Sequence, residues 1–424
     1  MKKILRKEFL LLALFVGLFI FLRSVYFTDH LNFSADQGEQ STDILQYYNQ
    51  HKIPLIGNPI NSTVYEGHYI YQGPGYYYML FPFLFLTNFE PIASSYLFMI
   101  FCAFMLIPLY FGMKMLTNTR AAILMTIIYS FAPYYVDYTR FHWNPNYQLA
   151  LLPLLILLMG LYKKNKSSKT FLLMSVLLGV LFQFHYQFIL IIIAIGIYYF
   201  VIKKISPKLL IHFFGGLILG VLPLIIFDLK HEFYNINTLI LLLTNYDDVS
   251  KAGTITTPHY YLSLSFMILV TALGFFHKRL PKKRAFIILS VGTALVLFTW
   301  SAVINFQKPQ KAFWSYAENW QYEDEYKIYE IIKESKLENY NVANLTYYNT
   351  KASVVKYLLK RDNVNINYDD YYNNKYLFAV KDSNTELFDT LSYEVAFFKP
   401  SKLLNTWEIN DHYNLYLLER EEKK

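Results

Sequence analysis

Phe33-Ser-Ala-Asp36-Gln-Gly-Glu39-Gln-Ser-Thr-Asp43 directly follows an apolar run, Phe9 to Tyr26, that is long enough to cross a membrane. The stretch puts three carboxylates where the chain leaves the bilayer. Polar groups at that depth are costly unless they pair, bind or react. Asp36, nearest the membrane exit, reads as functional. Asp43 reads as a solvated loop residue or helix cap, and Glu39 fits either description.

The rest of the chain agrees with a membrane setting. Of 424 residues, 54% are hydrophobic and 19% aromatic, and long uncharged runs alternate with short basic clusters. This pattern indicates a polytopic α-helical membrane protein with one small soluble domain. Four basic residues precede the first run, as in a signal peptide. The run is long for one and no small-residue cleavage site follows, so it reads as an uncleaved first span. The net charge of +8 does not point to nucleic acid, because the basic residues sit in short loops between apolar spans. The one cysteine, Cys102, lies in an apolar run and excludes an intrachain disulfide framework.

Further spans are expected near Pro91–Tyr110, Ala121–Tyr138, Tyr147–Tyr162, Thr170–Phe184, Gln187–Ile202, Leu209–Phe227, Tyr260–Phe276 and Ala285–Ile304. The run Thr170–Val201 is divided because Gln183, His185 and Gln187 interrupt it. With about nine transmembrane helices and a cytoplasmic N-terminus, eighteen of the twenty-three basic residues before residue 306 fall inside. The exceptions are Arg23, Lys52, Arg140, Lys230 and Lys251. The polar stretch 27–90 is then an external loop. Glu39–His51 reads as a short helix within it, a turn at Asn61-Ser-Thr63 breaks the chain, and Met79–Leu86 reads as an interfacial helix.

The transmembrane domain spans 1–305, and 306–424 form a small α/β or α+β extracytoplasmic domain. Helices are expected at Asp324–Ser335 and Ala352–Arg361. Strands are expected at Asn341–Thr346, Lys375–Val380, Tyr393–Phe398, Asn405–Ile409 and Tyr413–Glu419. No nucleotide-binding glycine loop and no internal repeat is evident.

Candidate chemistry gathers where external loops meet the membrane. Asp137-Tyr-Thr-Arg140-Phe-His142-Trp-Asn144-Pro-Asn146 packs a carboxylate, a guanidinium, an imidazole and two amides between two spans. A guanidinium binds phosphate through paired donors, so Arg140 with His142 is a donor-binding candidate. Asp137 and Asn144 are cavity candidates, and Asn144 before Pro145 also suits a helix start. Gln183, His185 and Gln187 suit a polar cavity wall or interhelical hydrogen bonds. Lys230 and His231 could meet a phosphate or complement a helix dipole. Tyrosines line sugar sites and also gather at membrane interfaces; Tyr71 and Tyr76 are the cavity candidates.

This order of features resembles the GT-C superfamily of membrane glycosyltransferases, near the protein O-mannosyltransferase and lipid A aminoarabinose transferase group. In that family a first span leads into an external loop opened by an acidic motif, usually Asp-Glu or Asp-X-Asp. Here Asp36-Gln37 stands in its place, with the second acid lost. Ile53-Pro-Leu-Ile-Gly57, Tyr71-Gln-Gly-Pro-Gly-Tyr-Tyr-Tyr78 and Gly220-Val-Leu-Pro-Leu-Ile-Ile-Phe-Asp228 are similar to later family segments. Asn144-Pro145 occupies the place of a second family acid. The resemblance covers about 1–305 and implies transfer of a hexose or pentose from a polyprenyl-phosphate donor to a glycan, lipid or protein acceptor outside the cell membrane. It implies Asp36 as base, with Glu39 a compensating acid. Arg140 and Lys230 would offset phosphate charge, and His142 and His185 would orient substrates. The partial acidic motif leaves open both a metal-free site and one with Mg or Mn on Asp36. Two other functions stay open: a flippase or transporter of lipid-linked glycans, and a polysaccharide polymerase or ligase.

Overall fold

The computed structural model describes residues 2–60, 67–245, 261–309, 316–346, 350–367, 370–387 and 392–421. Lys251 and the Asn61-Ser-Thr63 turn lie outside the described residues. The helices in chain order begin with α1 (Lys2–Ser24), α2 (Ala35–Asn49), α3 (Gly75–Leu86), α4 (Pro91–Phe104), α5 (Leu106–Leu116), α6 (Thr119–Phe131) and α7 (Pro133–Tyr138). They continue with α8 (Asn144–Asn165), α9 (Ser168–Phe184), α10 (Ile189–Gly196), α11 (Leu209–Gly220), α12 (Leu222–Lys230) and α13 (Tyr234–Thr244). Next come α14 (Leu262–Phe276), α15 (Lys283–Asn305), α16 (Tyr322–Ser335), α17 (Ser353–Arg361) and the short α18 (Tyr393–Ala396). The strands are β1 (Tyr340–Asn344), β2 (Tyr376–Asp382), β3 (Ser401–Asn410) and β4 (Tyr413–Arg420).

These elements form two compact units. One holds residues 1–25, 53–83 and 96–304; the other holds 26–52, 84–95 and 305–424. The division differs from a simple cut at 305, because most of the acidic loop groups with the C-terminal domain.

The first unit is an apolar helical bundle, and the chain is an integral membrane protein. Among the described residues, four helices are long and apolar enough to cross a membrane: Pro91–Leu116, Asn144–Asn165, Leu262–Arg279 and Lys283–Asn305. A fifth results if α11 and α12, bent by 66° at their junction, count as one. The expected nine spans are not confirmed at this level. Several apolar runs are broken into helices of 10–17 residues, and the breaks have local causes. Pro133 opens α7 and ends the hydrogen-bond ladder of α6. Pro223, in the first turn of α12, does the same to α11. His185 is extended (φ −163°, ψ 127°) and closes α9. The chain then doubles back, so that Phe171 at the start of α9 lies 5.4 Å from the Tyr199 ring and 6.2 Å from that of Phe200. This is the hairpin expected from the three polar interruptions. The last 18 residues of α1 carry Lys7, Glu8 and Arg23, three charges where each of the four spans has an 18-residue stretch with at most two.

Helix α11 packs so closely on α9 that side chains are excluded. A Cβ on Gly220 would lie 2.3 Å from the Val176 carbonyl oxygen and 2.7 Å from the Gly179 Cα. Small residues at such crossings allow the backbone approach that drives association in lipid.

In the second unit the sheet order is β1-β2-β4-β3. Strands β1 and β2 are parallel, with α17 between them in the chain, and the other pairs are antiparallel. Ala343, Leu377, Ala379, Leu418, Val395 and Phe398 form its apolar core. The strand expected at Tyr393–Phe398 is instead α18 and its exit. The alternation of Tyr393, Val395 and Phe397 imitates a strand, but the buried pair is Val395 and Phe398, three apart, on one helical face.

Gly220→Val should lower the apparent melting temperature in detergent by several degrees, since overpacking of this kind costs about 1–3 kcal/mol. Gly215→Ala, where a Cβ meets nothing within 4 Å, should leave it unchanged or slightly raised.

Candidate functional site

In the first unit the polar groups converge on the stretch Tyr71-Gln-Gly-Pro-Gly75, which leads into α3. Its backbone pairs with residues 57–60: Gly57 N donates to Gln72 O (2.8 Å), Gln72 N to Asn58 O (3.0 Å) and Ile60 N to Ile70 O (2.8 Å). Four side chains then lace it to the bundle. Tyr71 N donates to Asn235 Oδ1 at 2.9 Å, and Tyr186 Oη donates to Tyr71 O. Asn144 Nδ2 donates to Gln72 Oε1. Gly75 N donates to Gln183 Oε1 at 3.2 Å, while Gln183 Nε2 donates to Gly220 O. That last carbonyl stands at the bend between α11 and α12. Asp228, 7% exposed, accepts from Asn235 N at 2.8 Å and caps the start of α13.

Gln183 and Asn144 are therefore brought together on the loop that starts at Tyr71, where their carboxamides bind protein groups. Asn144 is not the cap of α8: Trp143 holds that position, with Pro145 in the first turn. His185 accepts through Nδ1 from Gln187 N at 3.3 Å, and its carbonyl and that of Leu181 accept from Gln148 Nε2. Tyr76 is 1% exposed, edge-on to Tyr147 at 5.4 Å, so it is core. Tyr71 is half-buried beside Phe227 and Tyr234.

The Asp137–Asn146 stretch is buried around cations. Arg23, 0% exposed, donates to Thr139 Oγ1 (2.7 Å), Ser130 O (2.9 Å), Phe19 O (3.2 Å) and Tyr135 O (3.4 Å). It fills the α6–α7 break left by Pro133. Arg140, 1% exposed, reaches Asp137 Oδ1 at 3.5 Å. Burial draws its guanidinium down to about 10 and Asp137 opposes the shift, so it stays a cation near neutral pH. His142 sits 5.0 Å from the Phe98 ring and 5.5 Å from Phe83, with Nδ1 bonded to Tyr147 Oη at 2.8 Å. In that enclosure the imidazole is 2% exposed. Lys230 and His231 end α12 in the open, His231 stacking on Phe227 at 4.2 Å. Gln72, Asn235, Tyr186, Gln148 and Arg23 were not anticipated. The signal available for Gln148 and Arg23 was a lone polar residue within or at the end of an apolar helix.

In the second unit the acidic stretch is the first turn of α2. The helix starts at Ala35, not Glu39, because Gln37 Oε1 accepts from Ser34 N (3.1 Å) and Ser34 Oγ (3.0 Å). Acceptance of the Ser34 N–H by the side chain three residues on is a capping-box feature. Asp36 is exposed on that turn, where the helix dipole favours a carboxylate. Glu39 accepts from Ser353 Oγ at 3.2 Å, with Lys351 Nζ at 4.0 Å. Asp43 is half-buried beside Tyr47, whose phenol is raised by burial and then by Asp43. Among the described residues, no group of three His, Cys, Asp or Glu side chains could hold a metal ion.

Residues 71–229 match the family of dolichyl-phosphate-mannose-protein mannosyltransferases. The matched stretch runs from the laced loop to Leu229 in the last turn of α12, and includes Arg140, Asn144, Gln183 and His185 but not Lys230 or His231. It does not include Asp36. No curated protein matches the chain.

Burial holds the His185 imidazole down at about 4. The unfolded chain then binds a proton that the folded one refuses as pH falls below about 6.5, and folding weakens until pH reaches about 4. That penalty amounts to about 3 kcal/mol. His185→Gln should therefore lose less apparent melting temperature than wild type between pH 7 and pH 4.5, measured in detergent.

Proposed function

We propose that this membrane glycosyltransferase of the GT-C type moves a sugar from a polyprenyl-phosphate donor to a hydroxyl of a glycan, lipid or protein acceptor. The observation that carries the reading is the family match over 71–229, which falls on the stretch where polar groups converge within an apolar bundle. The donor suits that setting: its lipid tail partitions into the bilayer, and its sugar phosphate stays at the polar end of the helices.

In this reading Asp36 is the general base. It takes the proton of the acceptor hydroxyl as that oxygen bonds to the anomeric carbon, while the bond from that carbon to phosphate breaks. Polyprenyl phosphate leaves and the anomeric centre inverts. The charge developing on the leaving phosphate calls for a fixed cation. Arg140, charged within the fold, and Lys230, exposed at the end of α12, are the candidates. Asp36 supports the base role by its exposed place on a capped helical turn. The basic loops support a cytoplasmic N-terminus in the cell membrane, with the 27–90 loop and C-terminal domain outside.

Purified protein given a panel of synthetic polyprenyl-phosphate sugars, with water and a mixed envelope extract as acceptors, should release polyprenyl phosphate. Asp36→Asn should slow release by about 10²–10⁴-fold, the usual share of a general base, with an unchanged melting temperature. Donor binding without turnover in both proteins would sink the reading in favour of a flippase.

A further inference from the structure

The acidic turn is held by the C-terminal domain, from both sides of Asp36. On the upstream side, Tyr316 Oη donates to Phe33 O at 2.6 Å and accepts from Phe33 N at 3.2 Å. The Phe33 ring lies 5.8 Å from Tyr322 and 5.6 Å from Tyr357. On the downstream side, α2 crosses the start of α17 at Gly38. A Cβ on Gly38 would lie 2.8 Å from both the carbonyl carbon and oxygen of Ser353, and 2.9 Å from Val354 N. Those are backbone atoms, so even alanine requires the helices to separate. Glycine inside a helix costs about 1 kcal/mol relative to alanine; here it permits contact. The next residue, Glu39, accepts from Ser353 Oγ and faces Lys351, beside the first turn of α17, where the helix dipole also favours an anion.

We infer that the C-terminal domain is a positioning element for the reaction: Gly38, Glu39 and Ser353 clamp the turn that carries Asp36, and Glu39 acts as a docking group instead of a second acid–base residue. The inference rests on the reading of Asp36 as base. It also gives the domain a catalytic purpose in the absence of any nucleotide-binding loop. A base displaced by about 1 Å loses on the order of 10²-fold in rate, and such a loss falls on turnover while donor affinity persists.

The test uses full-length protein in detergent and a polyprenyl-phosphate sugar that the wild type consumes. Gly38→Val and Glu39→Ala should lower kcat by about 10- to 10²-fold with the donor KM within about twofold of wild type. Glu39→Gln, whose amide oxygen still accepts from Ser353 Oγ, should recover most of the loss seen in Glu39→Ala. Amide hydrogen exchange across α2 should quicken by about tenfold or more in Gly38→Val. Glu39→Gln as inactive as Asp36→Asn would overturn the docking role, because the carboxylate itself would then be chemical. Wild-type kcat and unchanged exchange in Gly38→Val, with Asp36→Asn inactive, would overturn the positioning while leaving the base intact. Full activity of Asp36→Asn would remove the base reading and this inference with it.

Discussion

One carboxamide, that of Gln183, answers backbone groups from two separate segments of the bundle. Its oxygen accepts from Gly75 N in the first turn of α3, and its nitrogen donates to Gly220 O at the bend of α11 into α12. Both stand at helix ends, where the first N–H and the last C=O groups have no partner within the helix. A buried backbone group left unmet costs about 1–3 kcal/mol, and surroundings made of leucine, isoleucine and phenylalanine offer no substitute. Irregular backbone in such a bundle persists only where protein groups satisfy it. Tyr186 and Asn235 on Tyr71, and Asn144 on Gln72, repeat the arrangement one residue at a time. The polar lining is thus first a solution to the breaks in the helices. Side chains pinned in this way hold a single arrangement.

The two buried arginines follow the same logic to different ends. Arg23 is surrounded by carbonyls and a hydroxyl at the break before Pro133, and its plane lies 3.3 Å over the Phe19 ring. It replaces the hydrogen bonds that the break removes. Arg140 is drawn towards Asp137 and keeps its charge. Charge counting treats both simply as cations outside the basic loops. The neighbouring groups distinguish the two: carbonyls and a hydroxyl around Arg23, a carboxylate beside Arg140.

Legibility in the sequence follows the range of the interactions. The helices at Tyr322–Ser335 and Ser353–Arg361, the strands β1 and β2 on either side of the second in the chain, and the turn at His185 rest on local periodicity, and they stand close to where periodicity put them. The span count rested on hydropathy, which does not register that Pro133 and Pro223 cut apolar runs into pieces. The strand expected at Tyr393–Phe398 failed because two apolar spacings fit the same six residues. At the candidate site, Asn144 and Gln183 were visible as polar interruptions. Their partners Gln72 and Gly220 were not, since residues 72 and 37 positions apart meet only in the folded chain.

The acidic turn shows how one short stretch carries several demands at once. Ser34-x-x-Gln37 is a capping pair, so the helix begins four residues before apolar periodicity would start it. Gln37 stands where the resembled family has a second acid. Gln37 is 2% exposed, so a glutamate there would bury a negative charge where the amide buries none. Gly38 is fixed by the backbone of α17, and Glu39 by Ser353 and Lys351. Of the four consecutive residues 36–39, three have side chains or missing side chains that the local fold explains. Asp36 itself is exposed on the capped first turn, where the helix dipole favours its charge.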